Sequence, residues 1–113
     1  MFLKRIGITT DSAGDFTYER VFRGTVLGIA VTVGDLETPS IAVTDGVYLT
    51  SLLNVASLAA DAKYQPAVAV QDDSGGDISG AYAAPVIMGS LKVEVSGGGD
   101  TKSGRIDLVV DTR

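Results

Sequence analysis

Leu91-Lys92-Val93-Glu94-Val95-Ser96-Gly97-Gly98-Gly99-Asp100-Thr101-Lys102-Ser103-Gly104-Arg105-Ile106-Asp107-Leu108-Val109-Val110 decides the fold class. From Leu91 to Val95, and again from Arg105 to Val110, apolar residues recur at every second position. That is the period of a strand with one buried face. The run Ser96 to Ser103 between them is a glycine loop. The direct reading is a hairpin over Pro85 to Arg113 that closes a β-sandwich, its glycines supplying positive φ at a mobile tip.

Upstream, the same period recurs between turn signals. Phe2 to Thr10 alternates, with Lys4, Ile6, Ile8 and Thr10 sharing one face, so it reads as an edge strand or an N-terminal arm. Asp11-Ser12-Ala13-Gly14-Asp15 is a turn cluster, and Phe16 to Phe22 a further strand. Thr25 to Val33 sets Leu27, Ile29, Val31 and Val33 against Val26, Gly28, Ala30 and Thr32, the pattern of a strand near the middle of a sheet. Ser40 to Thr44 is a short strand ended by Asp45-Gly46, and Val47 to Val55 continues in β-prone residues. Leu52, Leu53, Ala56, Ala59 and Ala60 have helical spacing, but Val55, Ser57 and the flanking strands favour extended chain followed by a loop. Lys63 to Pro66 reads as a break and Ala67 to Val70 as a strand. Closely spaced strands without a convincing helix predict an all-β, single-domain antiparallel sandwich or jelly-roll-like barrel spanning residues 1–113.

Composition narrows the chemistry. The chain of 113 residues has neither cysteine nor histidine. Disulfides, thiolate sites and cysteine nucleophiles are thereby excluded, and most hydrolase triads and zinc or iron sites lose their usual residue. A formal net charge of −5, with the nine basic residues scattered and only Lys4-Arg5 adjacent, argues against a nucleic-acid groove. The longest apolar runs fall far short of the ~20 residues of a membrane helix, and no charged-then-apolar leader opens the sequence, which suggests a soluble, non-exported protein.

The candidate chemical motifs reduce to loops. Gly97 stands five residues before Lys102-Ser103, a superficial likeness to a phosphate-binding loop, but Thr101 replaces the required glycine and a strand, not a helix, follows. Asp72-Asp73-Ser74-Gly75-Gly76-Asp77 lacks EF-hand spacing and a closing bidentate Glu, so it reads as a solvated loop. No carboxylate pair is singled out for glycosidic work, and Tyr18, Tyr48, Tyr64 and Tyr82 are the tyrosines available as sugar platforms. No cofactor is expected. An acidic β domain without a reactive constellation uses its surface for contact, and exposed edge strands are usually managed by pairing or covering.

The succession Gly24-Thr25-Val26-Leu27-Gly28-Ile29-Ala30-Val31, Gly34-Asp35-Leu36, Ser40-Ile41-Ala42-Val43-Thr44-Asp45, Tyr64-Gln65-Pro66 and Gly89 to Gly104 resembles a group of small virion proteins of tailed bacteriophages. The departure is Leu52 to Lys63, an alanine-rich stretch that is less aromatic than in that group. The resemblance implies a non-enzymatic β-sandwich on the particle, a capsid decoration or cement protein that binds the major capsid protein or other virion proteins, commonly as a trimer. The implied location is the virion capsid surface, after synthesis in the host cytoplasm. The alternatives are a tail, neck or head-fibre component, or a carbohydrate-binding adsorption module. The expected partner contacts are Lys4 and Arg5 in the N-terminal arm, Asp72, Asp73 and Asp77 in the acidic loop, and Gly97, Gly98, Gly99, Asp100 and Lys102 in the glycine loop.

Overall fold

A computed structural model describes residues 2–47, 50–71, 74 and 76–111. Its strands, in chain order, are β1 (Phe2–Thr9), β2 (Phe16–Val21), β3 (Gly24–Thr32), β4 (Ser40–Asp45), β5 (Ser51–Val55), β6 (Ala62–Tyr64), β7 (Val68–Gln71), β8 (Asp77–Ala83), β9 (Val86–Ile87), β10 (Ser90–Ser96) and β11 (Ser103–Asp111). The described residues contain no helix. One sheet runs β1-β11-β3-β6, with β9 also paired to β3, and the other runs β2-β10-β4-β5. Every pairing is antiparallel. The protein is a β-sandwich.

The alternating runs of the last quarter form β10 and β11, but these two strands do not pair. β10 lies between β2 and β4 in one sheet, whereas β11 lies between β1 and β3 in the other. The expected hairpin is an arch. Leu91, Val93 and Val95 of β10 and Ile106, Leu108 and Val110 of β11 are buried in one core cluster, contributed from opposite sheets. Sheets stack about 10 Å apart, a gap that the six residues between β10 and β11 cross. Most other connections also change sheet; β4–β5 and β7–β8 are the sequential pairs that hydrogen-bond directly. Residues distant in sequence therefore meet, with Ile6, Ile8, Val26, Ile29, Val31, Ile41, Val43 and Ile87 completing the core.

Two bulges explain where strict alternation fails. Across β3 and β11, Val109 pairs with Gly28 but Val110 pairs with Val26, leaving Leu27 as the extra residue. The slip turns Val26 inward and leaves Leu27 half-buried, so Val26, not the expected Leu27, joins Ile29 and Val31 in the core. Across β4 and β5, Val43 pairs with Leu53 and Thr44 with Ser51, which makes Leu52 the extra residue and buries two consecutive leucines. This region is extended chain followed by a loop, as its β-branched neighbours indicate. Lys63 and Tyr64, expected in a break, belong to β6, because the backbone of β3 offers them a partner at Ala30 and Ile29.

Phe2 to Thr10 is a strand, not a free arm: all eight residues of β1 are in register with β11, from Phe2 opposite Val110 to Thr9 opposite Ser103. The β7–β8 ribbon, which includes the unanticipated strand Asp77–Ala83, pairs with neither sheet among the described residues.

Candidate functional site

The sandwich has two chemically different poles, and strand direction assigns each loop to one of them. The loops 10–15, 33–39, 56–61 and 97–102 meet at the first pole. The glycine loop is tied down there: the Gly98 N–H donates to the Gly14 carbonyl at 3.0 Å, the Glu37 N–H to the Gly98 carbonyl at 3.0 Å, and the Thr101 N–H to the Asp11 carbonyl at 3.2 Å. The buried Thr10 is the hub, its hydroxyl donating to the Gly99 carbonyl at 2.6 Å and accepting from the Lys102 N–H at 2.8 Å. Asp35 accepts from the Ser103 N–H at 2.6 Å, and Asp61 from the Val33 N–H at 2.8 Å. The loop is thus a pinned strap and not the mobile tip that its glycines suggest. Its glycines do adopt positive φ, at Gly97 (68°) and Gly99 (88°), and Thr101 shares that region at 51°.

These four loops hold Asp11, Asp15, Asp35, Glu37, Asp61 and Asp100 against one base, Lys102. The four loops together thus carry a formal charge of −5, equal to that of the whole chain. Among the described residues, no group of three acidic side chains is arranged to hold a metal ion.

The second pole is apolar. Of the large apolar side chains left exposed among the described residues, Phe2, Leu3, Val21, Val47, Val86 and Met88 lie at this pole or beside it, and Tyr82 lies apart on β8. Val21 is 89% exposed. The surface is held from beneath by Asp45, which is wholly buried. One carboxylate oxygen accepts from the N–H groups of Val47 (3.0 Å) and Ser90 (3.3 Å), the other from Met88 (2.9 Å) and Gly89 (3.2 Å). One side chain thereby fixes the two turns that carry Val47 and Met88. Gly89 is required for the same packing, because a Cβ there would stand 2.4 Å from that of Val47. Phe2 and Phe22 add an aromatic pair with ring centroids 6.2 Å apart.

No protein-family model matches this chain, and no curated protein matches it. The site is therefore assigned from geometry.

The expected contact residues do not converge. Gly97, Gly98, Gly99, Asp100 and Lys102 sit at the acidic pole. Arg5 lies on the outer face of the first sheet, its Nε donating to Asp107 at 2.9 Å, with Arg105 on the other carboxylate oxygen at 3.1 Å. Lys4 points to the edge of the sandwich, with Nζ 6.0 Å from the centroid of the Tyr18 ring. Asp77 opens β8 opposite Gln71; Asp72 and Asp73 lie outside the described residues, as does Tyr48. A groove of about 450 Å³ on the outer face of the second sheet is lined by Asp15, Thr17, Asn54 and Glu94, with no aromatic side chain among the described residues of its lining.

The apolar pole escapes a reading of the sequence alone. Val21 looks like an ordinary strand residue, while Val47 and Met88 look like punctuation beside glycines. The legible signal is that both flank a turn without being needed in the core.

Proposed function

We propose that this protein is a non-enzymatic structural component of a tailed-phage virion, a decoration or cement protein on the major capsid protein lattice. The observation that supports this reading is the division between poles among the described residues: exposed apolar side chains on one, loops with a formal charge of −5 on the other. Exposed apolar groups gathered in one place mark an interaction surface. An acidic opposite pole stays hydrated and discourages stacking on itself, so a bipolar domain of this kind docks in one orientation. In that orientation Val21, Val47 and Met88 press on the lattice while Asp11, Asp35 and Asp100 face solvent. A single copy presents a modest apolar area, and a homotrimer multiplies it through simultaneous engagement.

The test is reconstitution. Purified protein is added to particles of the phage that encodes it, stripped of the endogenous copies, and occupancy is read by quantitative mass spectrometry. The expected result is many copies per capsid, with the Val21→Asp, Met88→Asp double variant folded but bound about tenfold or more weakly. Zero occupancy by the wild type sinks the reading, and a handful of copies at one vertex moves the protein to the neck or tail.

A further inference from the structure

A second feature lies along the side of the sandwich, where β1 and β2 are the facing edges of the two sheets. β1 pairs with β11 over all eight residues without a bulge and contains no proline. Its other edge presents a row of backbone donors and acceptors, and no hydrogen bond reaches that edge from any described residue. Such an edge is a template for one more strand. Cations mark it. Lys4 shares the inward face of β1 with Ile6 and Ile8, so its chain emerges at the seam between the sheets. There Lys4 Nζ and Arg20 Cζ lie 6.0 and 5.3 Å from the centroid of one ring, Tyr18. Arg5, the neighbour of Lys4, shares the Asp107 carboxylate with Arg105 on the outer face of the sheet. Neither Lys4 nor Arg20 has a carboxylate within ion-pair distance among the described residues.

We infer that this seam is a docking site for an extended, carboxylate-bearing segment of a protein partner, added as a further strand on β1. Two cations gather at one aromatic ring with no carboxylate partner among the described residues, and the ring offsets only part of that positive charge. A carboxylate arriving at this seam gains an attractive partner in either cation. Carboxylates at alternate positions of an added strand would all face the seam side, which is the spacing a β-strand provides. A second β1 is a poor occupant: antiparallel self-pairing brings the Lys4-Arg5 segments of two chains together, and like charges across a ladder destabilise it. The acidic requirement thus comes from the edge itself. Under the proposed function the segment belongs to a neighbouring virion protein, but the site does not depend on that reading.

The test uses the intact protein and two synthetic octapeptides, one alternating Glu with Val and one alternating Lys with Val, titrated at low salt and followed by amide NMR shifts and hydrogen exchange. The Glu peptide is expected to shift the amides of Phe2–Thr9 and the Tyr18 ring and to slow exchange at alternate amides of β1. The Lys peptide is expected to leave them unchanged. Lys4→Glu with Arg20→Glu, checked for an unaltered melting temperature, should weaken the Glu peptide by about tenfold or more, whereas Lys63→Glu, on the outer face of the first sheet, should not. Equal binding of both peptides, absence of shifts at millimolar peptide, or shifts without slowed exchange along β1 would overturn the inference. Because no particle is involved, a failure here leaves the occupancy experiment to judge the virion reading by itself.

Discussion

Replacing Asp45 by alanine removes the acceptor shared by four backbone N–H groups, and the structure indicates how much that should cost. Val47 and Met88 are exposed, so water can satisfy their N–H groups once the carboxylate is gone. Gly89 and Ser90 are half-buried and buried, and their donors are left with little. An unsatisfied buried donor costs about 1–3 kcal/mol, so two of them, plus loss of a charged acceptor, come to roughly 3–5 kcal/mol. That is a large part of the ~5–15 kcal/mol by which a domain is stable. At about 4 °C per kcal/mol for a domain of this size, the melting temperature falls by about 12–20 °C. Asp45→Asn retains the volume and one acceptor oxygen but aims an NH2 group at N–H donors, so most of the loss should persist. The matched control is Asp11→Ala. Asp11 also accepts from two backbone N–H groups, those of Ala13 (2.9 Å) and Asp15 (3.0 Å), but on an exposed loop. Water replaces it there, and the loss stays near or below about 1 kcal/mol. Urea unfolding followed by circular dichroism, with m-values compared, measures all three variants. Equal losses for Asp45→Ala and Asp11→Ala would refute the argument that burial sets the cost.

Two further variants probe the acidic pole. Thr10→Val keeps the shape but deletes the hydroxyl between Gly99 and Lys102, which should cost about 1–3 kcal/mol and free the strap; limited trypsin digestion should then cut after Lys102 sooner than in the wild type, and an unchanged cleavage rate would show that the strap is held without the hydroxyl. Gly34→Ala places a Cβ 2.6 Å from the Ser103 carbonyl oxygen in a backbone at φ +60°, so strain and contact together should cost about 2–3 kcal/mol, measurable as a lower urea midpoint.

The all-β class was legible because alternation is a local property: Leu91 to Val95 and Arg105 to Val110 each declare one buried face. What alternation does not declare is whether the next strand lies beside that face or across from it. A hairpin joins strands through an edge, and an arch stacks them through their buried faces, yet both give the same pattern of apolar residues. The length of the glycine loop separates the two in retrospect, since tight hairpins favour two-residue turns. The bulges were half visible. Val26 and Ile29 are three apart, and Leu52 and Leu53 are adjacent; both spacings break a period of two wherever all four residues are core. In the sequence Asp45 is the first half of an Asp-Gly turn, and the structure keeps it there. Its burial comes from the 88–90 turn, more than forty positions away, and no local pattern reports that.

The two poles show why the candidate site needed the topology. Acidic residues at 11, 15, 35, 37, 61 and 100 look evenly scattered along the chain, and so do the exposed apolar residues at 21, 47, 86 and 88. Because the chain reverses direction at each turn, successive turns fall at opposite ends of the sandwich. The turns after β1, β3, β5 and β10 are acidic; those after β2, β4 and β9 carry the apolar groups. A scattered composition therefore folds into a separated one, with solvating charge at one end and desolvatable surface at the other. The lone adjacent basic pair divides in the same manner. Strand alternation sends Arg5 outward to Asp107 and Lys4 inward to the seam beside Arg20, so two neighbours in sequence serve different surfaces. One joins Asp107 and Arg105 in an ion triad on the sheet face, and the other has no carboxylate within ion-pair distance among the described residues and lies beside an edge that no described residue pairs, the combination that an acidic strand would satisfy.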